Sequence, residues 1–205
     1  MTTKKFVLPQ LYFSKLMRAI TEFELIEEGD KILLGISGGK DSIFMAYAMA
    51  MMQKRLKKNF QLQALTINPM FSEDFDTERI RGFMEELGIP FASFPVDIAG
   101  TIENQGGKDP CYTCAFFRRG VVNRYAKEQG CNKVAYAHHH DDAVETFFMG
   151  LLYSGQLHTF TPKTYLDKMD LTVIRPLVYF REAEIREAIQ YHGFEPVPSP
   201  CPYDG

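Results

Sequence analysis

The chain has 205 residues, 45% of them hydrophobic and 24% charged, and a net charge of −3. That length carries one α/β domain with its own core, and the composition is ordinary for a soluble globular protein. The acidic balance argues against a polycation that binds nucleic acid over its whole surface, while leaving room for a local basic face.

The start, Met1 to Lys5, does not resemble a secretory leader, and no apolar run approaches the roughly 18 residues of a membrane helix. The expected compartment is therefore the cytosol, with no membrane partner. Four cysteines in that setting are better metal or redox candidates than disulfides.

In chain order, residues 8–28 read as an amphipathic helix with Leu11, Met17, Ile20 and Phe23 among its apolar positions. Gly29-Asp30 breaks it. Lys31 to Ile36 is a buried strand, followed by a glycine loop and a helix over 43–58. Residues 62–67 form a second strand ending at Asn68-Pro69. A helix over 76–87, a stop at Gly88-Ile89-Pro90 and a strand over 91–98 come next. Residues 100–110, with Gly106-Gly107, read as a loop. A helix over 112–129, a strand over 133–137 and a helix over 141–154 follow. Residues 155–170 read as irregular, 171–174 as a strand and 181–192 as a helix. The Met and Phe positions 44, 45, 49, 147, 148 and 149 read as core. Strands alternating with helices predict an α/β fold with a doubly wound parallel sheet. Ligands in such sheets sit beyond the strands' carboxyl ends, which selects loops 37–42, 68–75 and 138–142. Asn68 enters the candidate nucleotide-binding set on that ground.

Ser37-Gly38-Gly39-Lys40-Asp41-Ser42 joins the first strand to a helix. Two glycines allow close backbone approach, and free N–H groups at a helix start suit a phosphate. Lys40 can neutralise phosphate charge and Asp41 can hold Mg²⁺. The spacing fits neither G-x-x-x-x-G-K-[ST] nor G-x-G-x-x-G. The plainer alternative is a glycine turn with a surface lysine and a capping Asp or Ser. The hexapeptide resembles the PP-loop of the ATP pyrophosphatases. The resemblance implies their doubly wound fold, cleavage of ATP between its α and β phosphates, and adenylation of an acceptor. On that reading 1–30 is an N-terminal helical segment and 31–205 the ATP-binding domain.

Cys111-Tyr112-Thr113-Cys114 opens a helix after Pro110. Thiols three positions apart share a helical face, and the helix start is expected to lower their pKa. Cys201 lies between Pro200 and Pro202. Three cysteines fit an iron–sulfur cluster with one open iron, zinc with one open position, or a dithiol pair. Cys131 reads as structural. Residues 111–120, C-Y-T-C-A-F-F-R-R-G, resemble the C-x-x-C…R-R-G segment of the tRNA 2-thiocytidine synthetase family. Residues 137–142, A-H-H-H-D-D, resemble its G-H-H-x-D-D segment, and Cys201 takes the place of its third cluster cysteine. That resemblance implies a [4Fe–4S] cluster on Cys111, Cys114 and Cys201 and a sulfur donor, protein or sulfide. It also implies a tRNA cytidine whose C2 oxygen is adenylated and replaced by sulfur. Ala137 departs from the family's glycine, and the chain stops four residues after Cys201.

Asp141 and Asp142 are expected to face phosphate or Mg²⁺, with one of the two capping the helix. His138 is expected to polarise the activated oxygen or to donate to phosphate. Arg118 and Arg119 are candidates for bidentate phosphate binding, against the alternative of a solvated face. The rivals are a PP-loop enzyme thiolating or desulfurating a small molecule, an ATP-dependent amide ligase, and a non-catalytic metal- or redox-sensing nucleotide-binding protein. A homodimer is the assembly to consider.

Overall fold

The structure, a computed structural model, describes residues 7–72, 74–104, 106 and 109–202; residues 1–6 and Gly107 lie outside them. A first helix, α1 (Gln10–Glu22), leads to β1 (Lys31–Gly35), α2 (Lys40–Arg55), β2 (Gln61–Asn68), α3 (Thr77–Leu87) and β3 (Phe91–Pro95). Then come α4 (Ile98–Asn104), α5 (Pro110–Glu128), β4 (Lys133–Ala135), α6 (His140–Ser154), β5 (Lys163–Leu166), β6 (Leu171–Ile174) and α7 (Glu182–His192). The six strands form one sheet in the order β3-β2-β1-β4-β6-β5. Every pairing is parallel except β5 with β6.

The chain winds outward from β1 to β2 and β3, then crosses to β4 and β6 on the other side. The strand order therefore reverses between β1 and β4, and a crevice opens there at the carboxyl edge. Successive residues of β1 point to opposite faces. Ile32 and Leu34 join the larger core with α1, α2, α3 and α7, whereas Leu33 joins a smaller one with α4 and α5. Helix α2 is buried without a break from Ser42 to Met52, which accounts for its lack of a polar face.

Four expectations are corrected. Helix α1 stops at Glu22, because Glu24 turns the chain through a positive φ of 49°. Its buried residues are Tyr12, Leu16, Ala19 and Ile20, while Leu11 faces outward. Strand β3 ends at Pro95, and Ile98 starts α4, whose Ile98 and Ile102 lie one turn apart and are buried. The segment after α6 contains β5, in register with β6 through Thr164 and Val173, so the sheet is not wholly parallel. Finally, α6 has no buried residue. Phe44, Met45 and Met49 are core as expected, but Phe148 and Met149 are 53% and 60% exposed.

At the sheet's amino edge Lys133, from β4, sits 2.8 Å from Asp30, and both side chains are only 3% exposed. Lys133 also donates to the Leu25 carbonyl, and Asn132 donates to Asp30. This buried pair fixes the entry of β1 beside β4, opposite the crevice.

Candidate active site

Residues 37–42 leave β1 and enter α2 as one knotted turn. The Ser37 amide and hydroxyl both donate to Ser42 Oγ, which donates in turn to the Gly39 carbonyl at 2.9 Å. The Ser37 hydroxyl also accepts from the Gly39 amide. The buried Thr66 hydroxyl donates to the Ile36 carbonyl and ties the loop to β2. Gly38 has φ +87°, and its carbonyl accepts from Val197 N at 2.9 Å. No side chain caps the start of α2, so its first amides remain available to an anion.

The charged groups are arranged less simply than their spacing implies. Lys40 Nζ lies 3.1 Å from Asp41 and 2.9 Å from Glu182 at the start of α7. Burial lowers the Lys40 pKa, but the contacts with Glu182 and Asp41 outweigh it and the net shift is upward. Glu182 is held down to about 2 by its contacts with Lys40 and then Arg186. Asp141 turns away from the loop. Its Oδ2 accepts from Glu182 N at 2.7 Å, its Oδ1 meets Arg181 at 2.9 Å, and the backbone contact foremost lowers its pKa. It thus caps α7. Asp142 accepts from His139 N at 2.7 Å and lines the crevice. His139 is buried between the two motifs, with Nε2 3.6 Å from Asp41 and Nδ1 3.5 Å from Asp142. Asp41 Oδ1 is buried without a hydrogen-bond partner, which is how an oxygen suited to a cation or a donor would stand.

The crevice is a cavity of about 560 Å³. Its walls are Gly35 to Ser37, Asp41 and Ser42, the β2 residues Leu65 and Ile67, Arg118 and Arg119 of α5, and Tyr136, His138, Asp142 and Arg175 beyond β4 and β6. Both arginines expected at the site therefore face it. Asn68 does not line it; its side-chain oxygen accepts from Met70 N. His138 opens onto the crevice, with its ring 6.0 Å from Tyr136 and 5.1 Å from Phe160. Enclosure and then the nearby Arg175 guanidinium lower the His138 pKa. Glu182, His139, Tyr136 and Arg175 were not singled out by sequence. Arg175 directly follows β6, so the carboxyl-edge rule, applied to that strand as well, selects it.

A smaller chamber of about 270 Å³ lies on the β2 side, lined by Ser37, Gly39, Cys114, Arg118 and Cys201 among others. The loop and Arg118 thus face the chamber as well. Cys114 feels both Cys111 and Cys201 electrostatically, and all three are free thiols. Burial raises the Cys114 pKa, with Arg118 only partly opposing it, so the helix start does not lower this thiol. Cys131 is buried at the sheet's other edge, 3.5 Å from Gln63 Oε1, as its structural reading requires. Among the described residues, no group of three or more His, Cys, Asp or Glu converges to hold one metal ion. Cys114 and Cys201 line the chamber, whereas Cys111, one turn before Cys114 on α5, is exposed and is not among its lining residues.

Residues 12–198 match the model of a PP-loop domain family. The tRNA-cytidine(32) 2-sulfurtransferase of Ralstonia nicotianae is 37% identical over 186 residues, which are 88% of this chain and 58% of that protein. The chain thus spans less than two thirds of that relative's length. The protein of the same name from Syntrophotalea carbinolica is 36% identical, over 90% of this chain and 72% of its own. Among solved structures, the U34-tRNA thiolase NcsA from Methanococcus maripaludis with its [4Fe-4S] cluster superposes with a TM-score of 0.74. It is 25% identical, over 95% of this chain and 67% of that one.

Proposed function

The chain belongs to the PP-loop domain family, and from that premise we propose that it thiolates tRNA in an ATP-dependent reaction, with a cytidine as acceptor. The observation that carries the reading is the placement of Ser37 and Gly39 of the phosphate loop in one chamber with Cys114 and Cys201. Activation and sulfur delivery then have adjoining sites. Residues 31–205 are the ATP-binding domain on this reading, and 1–30 an N-terminal helical segment.

The amides at the start of α2 bind the phosphates of ATP, and Lys40 exchanges Glu182 for phosphate oxygens. Asp41 would hold Mg²⁺ through Oδ1, which has no hydrogen-bond partner, and Asp142, lining the same crevice, would be the second carboxylate available to it. The cytosine C2 oxygen attacks the α-phosphorus, and pyrophosphate leaves. The poor leaving oxygen becomes part of AMP, a good one, and sulfur at C2 then displaces AMP. Arg118 and Arg119 stabilise the developing charge on the α-phosphate. His138, neutral near pH 7, donates to or polarises the activated oxygen. Cys111, Cys114 and Cys201 would hold a [4Fe–4S] cluster, which supplies an open iron able to carry the sulfur atom. The sulfur itself comes from a donor protein or sulfide.

The relatives' names favour cytidine over uridine, since the cytidine enzymes are 36–37% identical and the uridine thiolase 25%. Among the described residues no helix is long and apolar enough to cross a membrane, and four free cysteines suit a reducing cytoplasm. The apolar exterior of α6 suits a second copy of the chain, forming a homodimer.

Anaerobic purification tests the cysteine assignment. The expected protein is brown, with visible absorption lost in Cys111→Ala, Cys114→Ala and Cys201→Ala and kept in Cys131→Ala. A colourless protein carrying zinc contradicts it.

A further inference from the structure

Beyond α7 the chain reads Glu195-Pro196-Val197-Pro198-Ser199-Pro200-Cys201-Pro202, with a proline at every second position. Proline fixes its own φ and pushes the residue before it into extended backbone. Every residue of this run is restricted in one of those two ways, so the segment is a stiff strap, and it belongs to no helix or strand. The strap is anchored at its near end. Phe194 is buried against the rings of Tyr47, Phe83 and His192, and Glu195 pairs with Arg79 of α3. Val197 is 4% exposed and donates its amide to the Gly38 carbonyl at 2.9 Å. Its far end is at the chemistry: Val197, Ser199, Pro200 and Cys201 line the same chamber as Gly39 and Cys114. Pro198, between the Val197 contact and Cys201, is exposed.

The Gly38 carbonyl and the Gly39 amide belong to one planar peptide group. The carbonyl holds Val197. The amide donates to Ser37 Oγ at 3.3 Å, a long bond that a phosphate oxygen can replace. An anion on the amide polarises the group and makes its carbonyl a better acceptor, because hydrogen bonds in series reinforce one another. Phosphate on the loop therefore tightens the grip on Val197. A polyproline-like run carries that restraint over the four residues to Cys201, a span of about 12 Å. We propose that residues 195–201 are a strut that couples occupation of the phosphate loop to the placement of Cys201. This rests on the reading of the site given above and adds regulation to it. The thiol assigned to the cluster is held more firmly while a nucleotide lies on the loop. Coupling is reciprocal, so a Cys201 held in place also favours nucleotide binding.

The test is the rate at which iodoacetamide alkylates Cys201 in the whole, cluster-free chain, followed by peptide mass spectrometry. It is measured with and without a saturating, non-hydrolysable α,β-methylene analogue of ATP. Cys114, in the same chamber, is the control for direct shielding by the analogue. In the wild type the analogue should slow Cys201 about fivefold or more and slow Cys114 less. Pro198→Gly places a hinge between the Val197 contact and the cysteine. It should still bind the analogue, by calorimetric titration, yet lose most of the slowing. Pro198→Ala, stiffer than glycine, should fall between, and it carries the test if the glycine variant does not fold. Such grading with backbone stiffness is not expected of a residue that only supports the fold. Analogue binding without slowing at Cys201 in the wild type, or equal slowing in wild type and variants, overturns the proposal. A wild type that does not bind the analogue contradicts the strut and the ATP reading together. Failure of the thiolation reading alone appears separately, as slowing that depends on Pro198 in a protein that yields no thiolated RNA.

Discussion

Substituting each glycine of the phosphate loop in turn separates the loop's shape from its task. Gly38 has φ +87°, and a β-carbon there would lie 3.0 Å from Ile80 Cδ1 and 3.2 Å from Val197 Cβ. The left-handed conformation costs an alanine about 1–2 kcal/mol, and crowding a packed contact adds about 1–3 kcal/mol. Ile80 has a flexible end that gives way, so a total near 3 kcal/mol is expected for Gly38→Ala. For a chain of this size that corresponds to a fall in Tm of about 6–12 °C. Gly39 is different. Its φ is −69°, and the nearest atom to an added β-carbon is Ser37 Oγ at 3.5 Å. Gly39→Ala should therefore stay within about 1 kcal/mol of wild type, because lost capping preference and reduced chain entropy partly cancel. It nevertheless places a methyl group on the anion-binding turn and should weaken ATP by about tenfold or more. Thermal unfolding by circular dichroism and calorimetric titration with an ATP analogue read the two effects. A Gly38→Ala protein melting within about 2 °C of wild type, or a larger loss of stability in Gly39→Ala, would refute the reasoning.

Other changes follow from the same contacts. Glu182→Gln should leave ATP affinity equal to wild type or tighter, since Lys40 no longer has to leave a carboxylate. Glu182 is held near 2 against an ordinary 4.5, so its pairing stabilises the fold above pH 4.5 and is lost as pH falls towards 2. The exposed pair contributes about 0–1 kcal/mol, and urea midpoints at pH 5 and pH 3 for wild type and variant measure it. His138 has a pKa below its ordinary 6.5, so protonation favours the unfolded chain. Stability should decline as pH drops below 6.5, and His138→Gln should flatten that part of the profile. Lys133→Met leaves Asp30 buried without its partner and should cost about 3–5 kcal/mol in urea unfolding; a loss below about 1 kcal/mol contradicts the role given to that pair.

The main features of the fold were legible because they rest on local chemistry. The run 31–36 and the glycine loop name a strand, a turn and a helix together, and Asp76 and Gly88 mark the ends of α3 by capping. Helix α6 was misjudged because apolar content resembles burial in a sequence, while burial depends on whether another surface arrives. Asp141 is expected to face phosphate or Mg²⁺ because it follows β4 at the carboxyl edge, yet the Glu182 amide at the start of α7, 41 residues later, claims its carboxylate. Glu182 was overlooked for the same reason: its pairing with Lys40 is made only when α7 packs against α2. The cysteines stood out in the sequence by spacing and flanking prolines, but only the fold brings Cys201 beside Cys114 and the loop.

The most direct test incubates the anaerobically purified protein with ATP, Mg²⁺, sulfide and unmodified tRNA, and follows nucleotide products and RNA nucleosides together by mass spectrometry. The account predicts AMP and pyrophosphate, released in step with the appearance of a cytidine in which sulfur has replaced the C2 oxygen, and neither product in the Lys40→Ala variant. ADP as the product, or AMP formed at full rate with no sulfur entering the tRNA, would contradict it.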